Sequence, residues 1–176
     1  MRFRGTCYRG HDPKWAFSPV SGEGARLKGG RFNPRGTPAL YLSLTVEGLF
    51  IEMGHGFSQR FAPLTVCSYE VDVDDIVDLR TDRDRRHVGV DLRDMACAWA
   101  NDLADSREPA SWRVVRRLIA ARAAGIVVPS FANGARSDMS NLVLWIWTPD
   151  LPHRVRVHDP DGLLPKDQSS WRASDD

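Results

Sequence analysis

The run Gly29-Gly30-Arg31-Phe32-Asn33-Pro34, followed after four residues by Ala39-Leu40-Tyr41-Leu42-Ser43, constrains the fold more than any other part of the sequence. The first run belongs to a segment rich in Gly and Pro, residues 13–35, whose lack of periodicity predicts a long loop. The second run is a compact apolar segment typical of a buried strand. Because long loops in compact domains usually carry function, this junction is a candidate site.

A short helix is predicted directly after this strand, with Thr45 as its N-cap. Its apolar residues share one face: they are Val46, Leu49, Phe50 and Met53. Glu52 lies at the border of that face, where a carboxylate is partly desolvated and can act in catalysis. Pairing with a nearby arginine is the more common role for such a residue, and both interpretations stay open.

The rest of the chain mixes strands and helices without regular alternation. Apolar runs predict strands near residues 64–71, 76–79, 126–128 and 142–147, and amphipathic patterns predict helices at residues 91–103 and 109–124. Residues 82–86 have mixed charge and are expected to form an exposed loop, and the alternation around Val155 and Val157 indicates an edge strand. These elements predict a single α+β domain, residues 1–158, followed by a loosely held polar tail, residues 159–176.

Composition limits the classes of protein that need consideration. The 176 residues are 42% hydrophobic and 27% charged, with a net charge of +1, so no large field attracts the whole protein to nucleic acid or membrane. Cys7, Cys67 and Cys97 are odd in number and widely spaced, and the histidines form no ligand pair, so we expect neither disulfides nor a metal. No apolar run is long enough to cross a bilayer. The first residues lack the apolar core of a secretory signal, so we expect a cytoplasmic protein.

The glycine-rich loop carries a concentration of positive charge. Between Ser21 and Arg35, four glycines accompany the cations Arg26, Lys28, Arg31 and Arg35. Glycines let backbone N–H groups approach an anion, arginine binds phosphate through two N–H groups, and Phe32 offers a ring for stacking. The loop is therefore either a phosphate- or nucleotide-binding segment or a flexible surface loop, and it matches neither a P-loop nor a dinucleotide fingerprint.

Other polar and aromatic residues have weaker signals. Ser130 follows a predicted strand, and Ser140 and Asn141 precede the next one, where they provide either functional hydrogen bonds or ordinary turn chemistry. Trp99 and Trp112 are expected to pack in the core rather than to stack on a ligand. His55 is a possible acid–base group, although a surface role is more typical.

Several separated runs occur together in a recognisable order. They are Cys7-Tyr8-Arg9-Gly10, Ser21-Gly22-Glu23-Gly24-Ala25-Arg26, Gly29-Gly30-Arg31-Phe32-Asn33-Pro34, Ala39-Leu40-Tyr41-Leu42-Ser43, Glu52, Val128-Pro129-Ser130 and Asn141-Leu142-Val143-Leu144. In this order and spacing the chain resembles the RES-domain family over most of residues 6–147. The Tyr8-Arg9-Gly10 run is also similar to the Tyr-His-Gly motif of diphtheria-type transferases.

The resemblance implies a function and a set of roles. It implies an ADP-ribosyltransferase-like mixed sheet with flanking helices, in the toxin of a toxin–antitoxin pair that degrades NAD⁺ as substrate and needs no cofactor. It implies an Xre-type helix-turn-helix antitoxin as partner, an oligomer with that antitoxin, and contact with nucleic acid only through it. The implied catalytic residues are Arg31, Tyr41, Glu52 and Ser130. The implied substrate-binding residues are Tyr8, Arg9, Gly30, Phe32, Asn33, Ser140 and Asn141. Ser140 competes with Ser130 because residues 133–139 are extra.

These residues fit cleavage of the nicotinamide–ribose bond. An oxocarbenium-like sugar needs a nearby negative charge and a firmly held dinucleotide. Glu52 supplies the charge, Arg31 and the glycine loop hold the pyrophosphate, Tyr41 stacks on nicotinamide, and Ser130 binds the amide or the ribose. The nucleophile stays open between water and phosphate. The alternatives are an ADP-ribosyltransferase that modifies a protein, or a non-enzymatic nucleic-acid-binding module that uses the arginines of residues 109–124.

Overall fold

A computed structural model of the chain describes residues 1–54 and 63–169. Residues 55–62 and 170–176 lie outside the described part, and with them His55 and the end of the predicted tail. All structural statements below concern the described residues.

The described chain is organised around one seven-stranded mixed sheet, with the strand order β4-β5-β6-β2-β1-β3-β7. The strands are β1 (Phe3–His11), β2 (Leu40–Ser43), β3 (Thr65–Val73), β4 (Ile76–Asp78), β5 (Gly125–Pro129), β6 (Ser140–Leu144) and β7 (His153–Val157). Only the β4–β5 pair is parallel, and the other pairs are antiparallel. The predicted edge strand is β7, at one end of the sheet.

The helices are mostly short. They are α1 (Glu23–Lys28), α2 (Val46–Met53), α3 (Asp82–His87), α4 (Leu92–Met95), α5 (Trp99–Ala104) and α6 (Ala110–Ala120), with a 3₁₀ turn at Pro13–Trp15. The longest, α6, buries Val114, Val115 and Leu118 against Ile126 and Val143 of the sheet. Strands and helices without regular alternation in one domain confirm the predicted α+β class.

The two faces of the sheet carry different clusters, because successive side chains of a strand point to opposite sides. One face packs Cys7, Leu42, Tyr69 and Leu142 into an apolar cluster. The other face carries Tyr41 and packs against α6. We call this second face the site face.

Three segments differ from the sequence-based expectation, and in one of them a distant contact explains the difference. Within residues 13–35, expected to be loop throughout, Glu23–Lys28 is helical. The single helix expected over residues 91–103 is interrupted between α4 and α5, where the carbonyls of Met95 and Cys97 accept hydrogen bonds from Arg31. Residues 82–86 form α3 rather than an exposed loop, since Thr81 caps the helix and Arg85 is buried, donating to Leu79 and Arg80.

The apolar face of α2 is another difference. Of the four residues on its predicted apolar face only Leu49 is buried, at 5% exposure, whereas Val46, Phe50 and Met53 are 42%, 44% and 40% exposed. The apolar face of α2 is therefore wider than the part of the helix that is buried.

The C-terminal segment is attached at its beginning. The Asp159 carboxylate accepts hydrogen bonds from the backbone of Leu163 and Leu164, and Leu164 packs against the apolar cluster of the sheet. The domain boundary at residue 158 stays a prediction. In the described residues, no helix has the length and apolar character needed to cross a membrane.

Candidate active site

The centre of the candidate site is the carboxylate of Glu52. Its Oε1 accepts hydrogen bonds from Ser130 Oγ at 2.5 Å and from Asn141 Nδ2 at 2.5 Å. Asn141 Oδ1 in turn accepts from Ser43 Oγ at 2.9 Å, and the backbone N–H of Ala132 donates to Ser130 Oγ at 3.2 Å. The chain of hydrogen bonds leaves Glu52 Oε2 without a donor among the described residues.

Local sequence explains why Glu52 reaches this position. Thr45 Oγ1 accepts a hydrogen bond from the Gly48 N–H at 3.0 Å, and only two residues separate the end of β2 from the start of α2. Leu49 is buried, and Glu52 lies three residues further on, on the same side of the helix. The carboxylate therefore faces the sheet rather than solvent.

Asn141, one of the two partners of Glu52, belongs to a row of residues across the site face. Tyr8 pairs with Ser43, Ser43 with Asn141, and Asn141 with Val128. Residues directly opposite each other in neighbouring strands share a face. Four strands thus contribute to a single line of side chains.

The register also distinguishes the two candidate serines. Ser130 lies two residues after Val128 and shares its face, and its backbone N–H still bonds to Met139 O at 2.9 Å. Ser140 is the neighbour of Asn141 and so points to the opposite face. Ser130, and not Ser140, contacts the carboxylate.

Arg31 lies in a tight turn that is held from several sides. The Gly30 N–H donates a hydrogen bond to Asn33 O at 2.9 Å, and the Asn33 N–H donates to Gly30 O at 3.4 Å. The three carbonyls of residues 30–32 accept side-chain donors: Trp112 Nε1 to Gly30 at 2.8 Å, Ser111 Oγ to Arg31 at 2.5 Å, and Trp145 Nε1 to Phe32 at 2.8 Å. The flexible-loop interpretation is therefore wrong for this part of the segment.

Four of the five backbone N–H groups of residues 29–33 are already engaged within the fold and are not free to cradle an anion. Gly29 N–H donates to Ala25 O, Phe32 N–H donates to Tyr41 Oη at 3.0 Å, and those of Gly30 and Asn33 close the turn. The other cations of the segment do not gather at Arg31, since Arg26 pairs with Glu23 and Arg35 and Lys28 are exposed.

The Arg31 guanidinium is fixed by carbonyls and by an aromatic ring. Its Nη1 donates to Cys97 O at 2.7 Å and to Met95 O at 3.1 Å, and Cζ lies 5.0 Å from the centroid of Phe131. Burial lowers the pKa of Arg31, and the charges of Cys97, Glu52 and Tyr41 partly offset this decrease. The guanidinium stays charged. Nε and Nη2 have no acceptor among the described residues.

Tyr41 and Asn33 stabilise the turn that carries Arg31 through hydrogen bonds. Tyr41 Oη donates to Asn33 Oδ1 at 2.7 Å, and burial raises the pKa of Tyr41. Asn33 is fully buried, and its amide donates to Ala25 O at 2.8 Å and Thr37 O at 2.9 Å. Phe32 is also buried, with its ring centroid 5.8 Å from that of Phe131. These contacts give Tyr41 and Asn33 a positioning role.

Arg31 and Glu52 open onto one shared cavity of about 310 Å³, at the lower end of the ~300–1,000 Å³ usual for small-molecule sites. The residues that line it are Gly30, Arg31, Phe32, Tyr41, Glu52, Trp99, Val128, Phe131, Asn141 and Val143. Two opposite charges, several aromatic rings and an amide thus meet in one apolar cleft.

Five predicted site residues do not line the cavity: Ser130 and Asn33 are hydrogen-bonded to residues that do, and the others are Ser140, Tyr8 and Arg9. Tyr8 is in the row beside Ser43 but does not border the cavity. Arg9, its neighbour, points to the opposite face, where it donates to the carbonyls of Ser21 at 2.9 Å and Pro19 at 3.3 Å. Arg9 ties down the segment before α1 and does not reach the cavity.

Sequence reasoning missed Ser43, Phe131 and Trp99 as site residues. Ser43 was visible as the end of the Leu-Tyr-Leu-Ser strand, and Phe131 as the neighbour of Ser130. Trp99 had no signal of its own, and its expected place in the core is wrong, because it is only partly buried and borders the cavity.

Comparison with known proteins adds a family and a fold. A model of the RES domain matches residues 6–167. The structure is similar to a chain in the crystal structure of the M. tuberculosis MbcT-MbcA toxin-antitoxin complex, with a TM-score of 0.64 and 24% sequence identity over 90% of this chain and 84% of that chain. At this identity the likeness establishes the fold. The comparison with curated proteins finds no match.

Proposed function

The chain belongs to the RES domain family, and on that premise we propose that it is the toxin of a toxin–antitoxin pair and consumes NAD⁺ by breaking its nicotinamide–ribose bond. The observation that carries the proposal is the Glu52 carboxylate, which is held through one oxygen while Arg31 lines the same cavity.

Glu52 has the arrangement that an oxocarbenium-like sugar requires. Ser130 and Asn141 fix the carboxylate through Oε1, so Oε2 remains for the developing positive charge or for a ribose hydroxyl. Charge that is fixed in position before the reaction is a large source of rate acceleration. Since nicotinamide leaves as a neutral molecule, no acid is needed to expel it.

Arg31 is suited to hold the dinucleotide. With Nη1 bound to two carbonyls, Nε and Nη2 remain for a phosphate oxygen, in the forked geometry that arginine offers. Ser130 already donates to Glu52, so its contribution in this geometry is to orient the carboxylate rather than to bind nicotinamide itself.

The reaction has two forms that share this geometry. With water, NAD⁺ gives ADP-ribose, nicotinamide and a proton. With inorganic phosphate, the sugar is transferred to a phosphate oxygen and the products are ADP-ribose 1-phosphate and nicotinamide. Purified protein is incubated with NAD⁺ with and without phosphate, and chromatography of the products distinguishes the two.

Glu52→Gln tests the catalytic role. The amide can keep the hydrogen bond from Ser130 but lacks the charge, so NAD⁺ consumption should fall by about 10²–10³-fold with an unchanged melting temperature. Glu47→Gln on the same helix is the matched control, because Glu47 is exposed, binds Arg136 and lies outside the cavity lining. Consumption of NAD⁺ by Glu52→Gln at the wild-type rate would show that the proposal is wrong.

The rival nucleic-acid-binding module finds little support in α6. Arg116 pairs with Glu108 at 2.7 Å, and Arg117 donates to the carbonyls of Val88 and Gly89. The nucleic-acid-binding hypothesis is based on four arginines, Arg113, Arg116, Arg117 and Arg122. Two of them are thus already engaged within the chain. A gel shift with nucleic acid at moderate salt tests this hypothesis, and we expect it to show no complex. Incubation with labelled NAD⁺ tests the other alternative, since an ADP-ribosyltransferase would transfer the label to protein.

The proposed partner is an Xre-type antitoxin, in the cytoplasm. The similar structure contains a toxin–antitoxin complex, which supports an antitoxin as the class of partner. Co-expression of a helix-turn-helix protein encoded by a gene beside this one should restore growth to cells that express this chain. Size-exclusion chromatography of the two proteins together gives the composition of the complex.

A further inference from the structure

We infer that Trp99 is the surface on which the positively charged nicotinamide ring stacks, and that it makes the site prefer the oxidised over the reduced dinucleotide. The inference rests on the proposed NAD⁺ cleavage and specifies how the cavity recognises the ring that leaves.

Trp99 differs from the tryptophans that pack the fold. Trp112, Trp145 and Trp147 each donate their indole N–H to a backbone carbonyl, those of Gly30, Phe32 and Val20. No acceptor among the described residues takes the N–H of Trp99. A buried tryptophan usually finds a partner for this group, whereas Trp99 is only partly buried, borders the cavity and has no hydrogen bond that fixes its ring.

The other aromatic rings of the cavity are already engaged. Phe131 lies against the Arg31 guanidinium, 5.0 Å away, and against Phe32. Tyr41 is anchored through its hydroxyl to Phe32 N–H and Asn33 Oδ1. Among the lining residues, Trp99 is the aromatic side chain that no such contact holds, so the stacking role expected of Tyr41 passes to Trp99.

The chemistry of the ring explains the preference. Nicotinamide in NAD⁺ is a flat cation, and indole is the side chain that attracts a cation over its face most strongly. The Glu52 carboxylate on the same cavity adds to this attraction. When the bond to ribose breaks, nicotinamide becomes neutral and loses the attraction, which favours its release. The reduced ring of NADH is neutral from the start and gains little from either group.

A pair of small ligands isolates the effect of charge. 1-Methylnicotinamide and nicotinamide are similar in shape and differ in charge, and neither carries a ribose bond to cleave. Binding of each to the full-length protein is measured by calorimetry for wild type, Trp99→Phe and Trp99→Ala. We expect the cation to bind wild type more tightly, and Trp99→Ala to weaken it by about three- to thirtyfold with little change for the neutral ligand. Trp99→Phe should lie between them.

Fluorescence and kinetics give independent readouts. 1-Methylnicotinamide should quench the intrinsic fluorescence of wild type, and Trp99→Phe should remove that quenching, whereas Trp15→Phe, at an exposed residue outside the cavity lining, should keep it. In NAD⁺ turnover, Trp99→Ala should raise KM more than it lowers kcat. A melting curve shows whether each variant is folded, and Trp99→Phe serves as the test if Trp99→Ala is not.

The outcomes separate this inference from the proposed function. If the protein consumes NAD⁺ but Trp99→Ala keeps the preference for the cation, or loses both ligands equally, Trp99 does not recognise the charged ring. If wild type consumes no NAD⁺ yet prefers 1-methylnicotinamide in a Trp99-dependent way, the ring-binding role stands and the cleavage reaction is wrong. If neither ligand binds and NAD⁺ persists, both are wrong.

Discussion

Gly30→Ala should damage the turn that presents Arg31. A Cβ built at this position would lie 2.7 Å from Asn33 Oδ1 and 2.7 Å from Tyr41 Oη, well inside contact distance. Those two oxygens are hydrogen-bonded to each other, and the Asn33 amide is fixed by two further carbonyls. The methyl group therefore has to displace a side chain that the fold already holds.

The expected loss follows from that clash. Extra atoms in a well-packed interior destabilise by about 1–3 kcal/mol, and for a domain of this length each kcal/mol lowers the melting temperature by roughly 2–4 °C. We expect Gly30→Ala to melt about 2–12 °C below wild type. Its NAD⁺ consumption should fall as well, because the displaced turn carries Arg31.

Thermal and urea unfolding measure the effect, and Gly24→Ala is the matched control. A Cβ at Gly24, in α1, meets no atom within 4 Å, so this variant should be unchanged or up to ~1 kcal/mol more stable through its helix propensity. Tyr41→Phe removes one of the two clashing oxygens, so its combination with Gly30→Ala should destabilise less than the sum of the single variants. Equal stability of Gly30→Ala and Gly24→Ala would refute the packing described for this turn.

Three further predictions concern the site and the fold around it. Ser43→Ala should lower kcat several-fold with little change in KM, because it frees the amide that orients the Glu52 carboxylate, whereas Ser140→Ala should not. Arg31→Lys should lose most activity, since an ammonium cannot reproduce the forked, stacked contacts of a guanidinium. Burial, reinforced by the charge of Arg9, lowers the pKa of His11 to about 4, so the unfolded chain binds more protons between pH 4 and 6.5 and stability should fall as the pH drops through that window. Titration of unfolding free energy should show this dependence in wild type and a weaker one in His11→Gln.

The parts of the site that sequence predicted depend on neighbours in the chain. The strand β2, the Thr45 cap and the position of Glu52 on α2 all follow from residues within one or two turns of each other. Ser130 was identified from the order of the family runs and its place at a strand end. Local periodicity and capping chemistry are readable without knowledge of the rest of the fold.

The parts that sequence did not predict depend on contacts between distant residues. The break between α4 and α5 exists where Arg31, more than sixty positions earlier, takes the carbonyls of Met95 and Cys97. The helical pattern of residues 91–103 does not indicate that two of their carbonyls bind Arg31. Trp99 follows this break, so its place at the cavity was equally unreadable.

The two charges of the cavity are held apart by neutral partners, and this separation is what makes the site chemically useful. Among the described residues, Arg31 and Glu52 form no ion pair, although the charge of Glu52 partly offsets the effect of burial on the pKa of Arg31. Glu52 is fixed by a hydroxyl and an amide, and Arg31 by two carbonyls, none of which carries a formal charge. A direct ion pair in a cleft of low dielectric would be strong and would occupy the carboxylate oxygen and the guanidinium N–H groups that a substrate needs. Neutral hydrogen bonds position both groups yet leave each charge without a direct ionic partner, so a ligand with a positive ring and a negative phosphate gains from both.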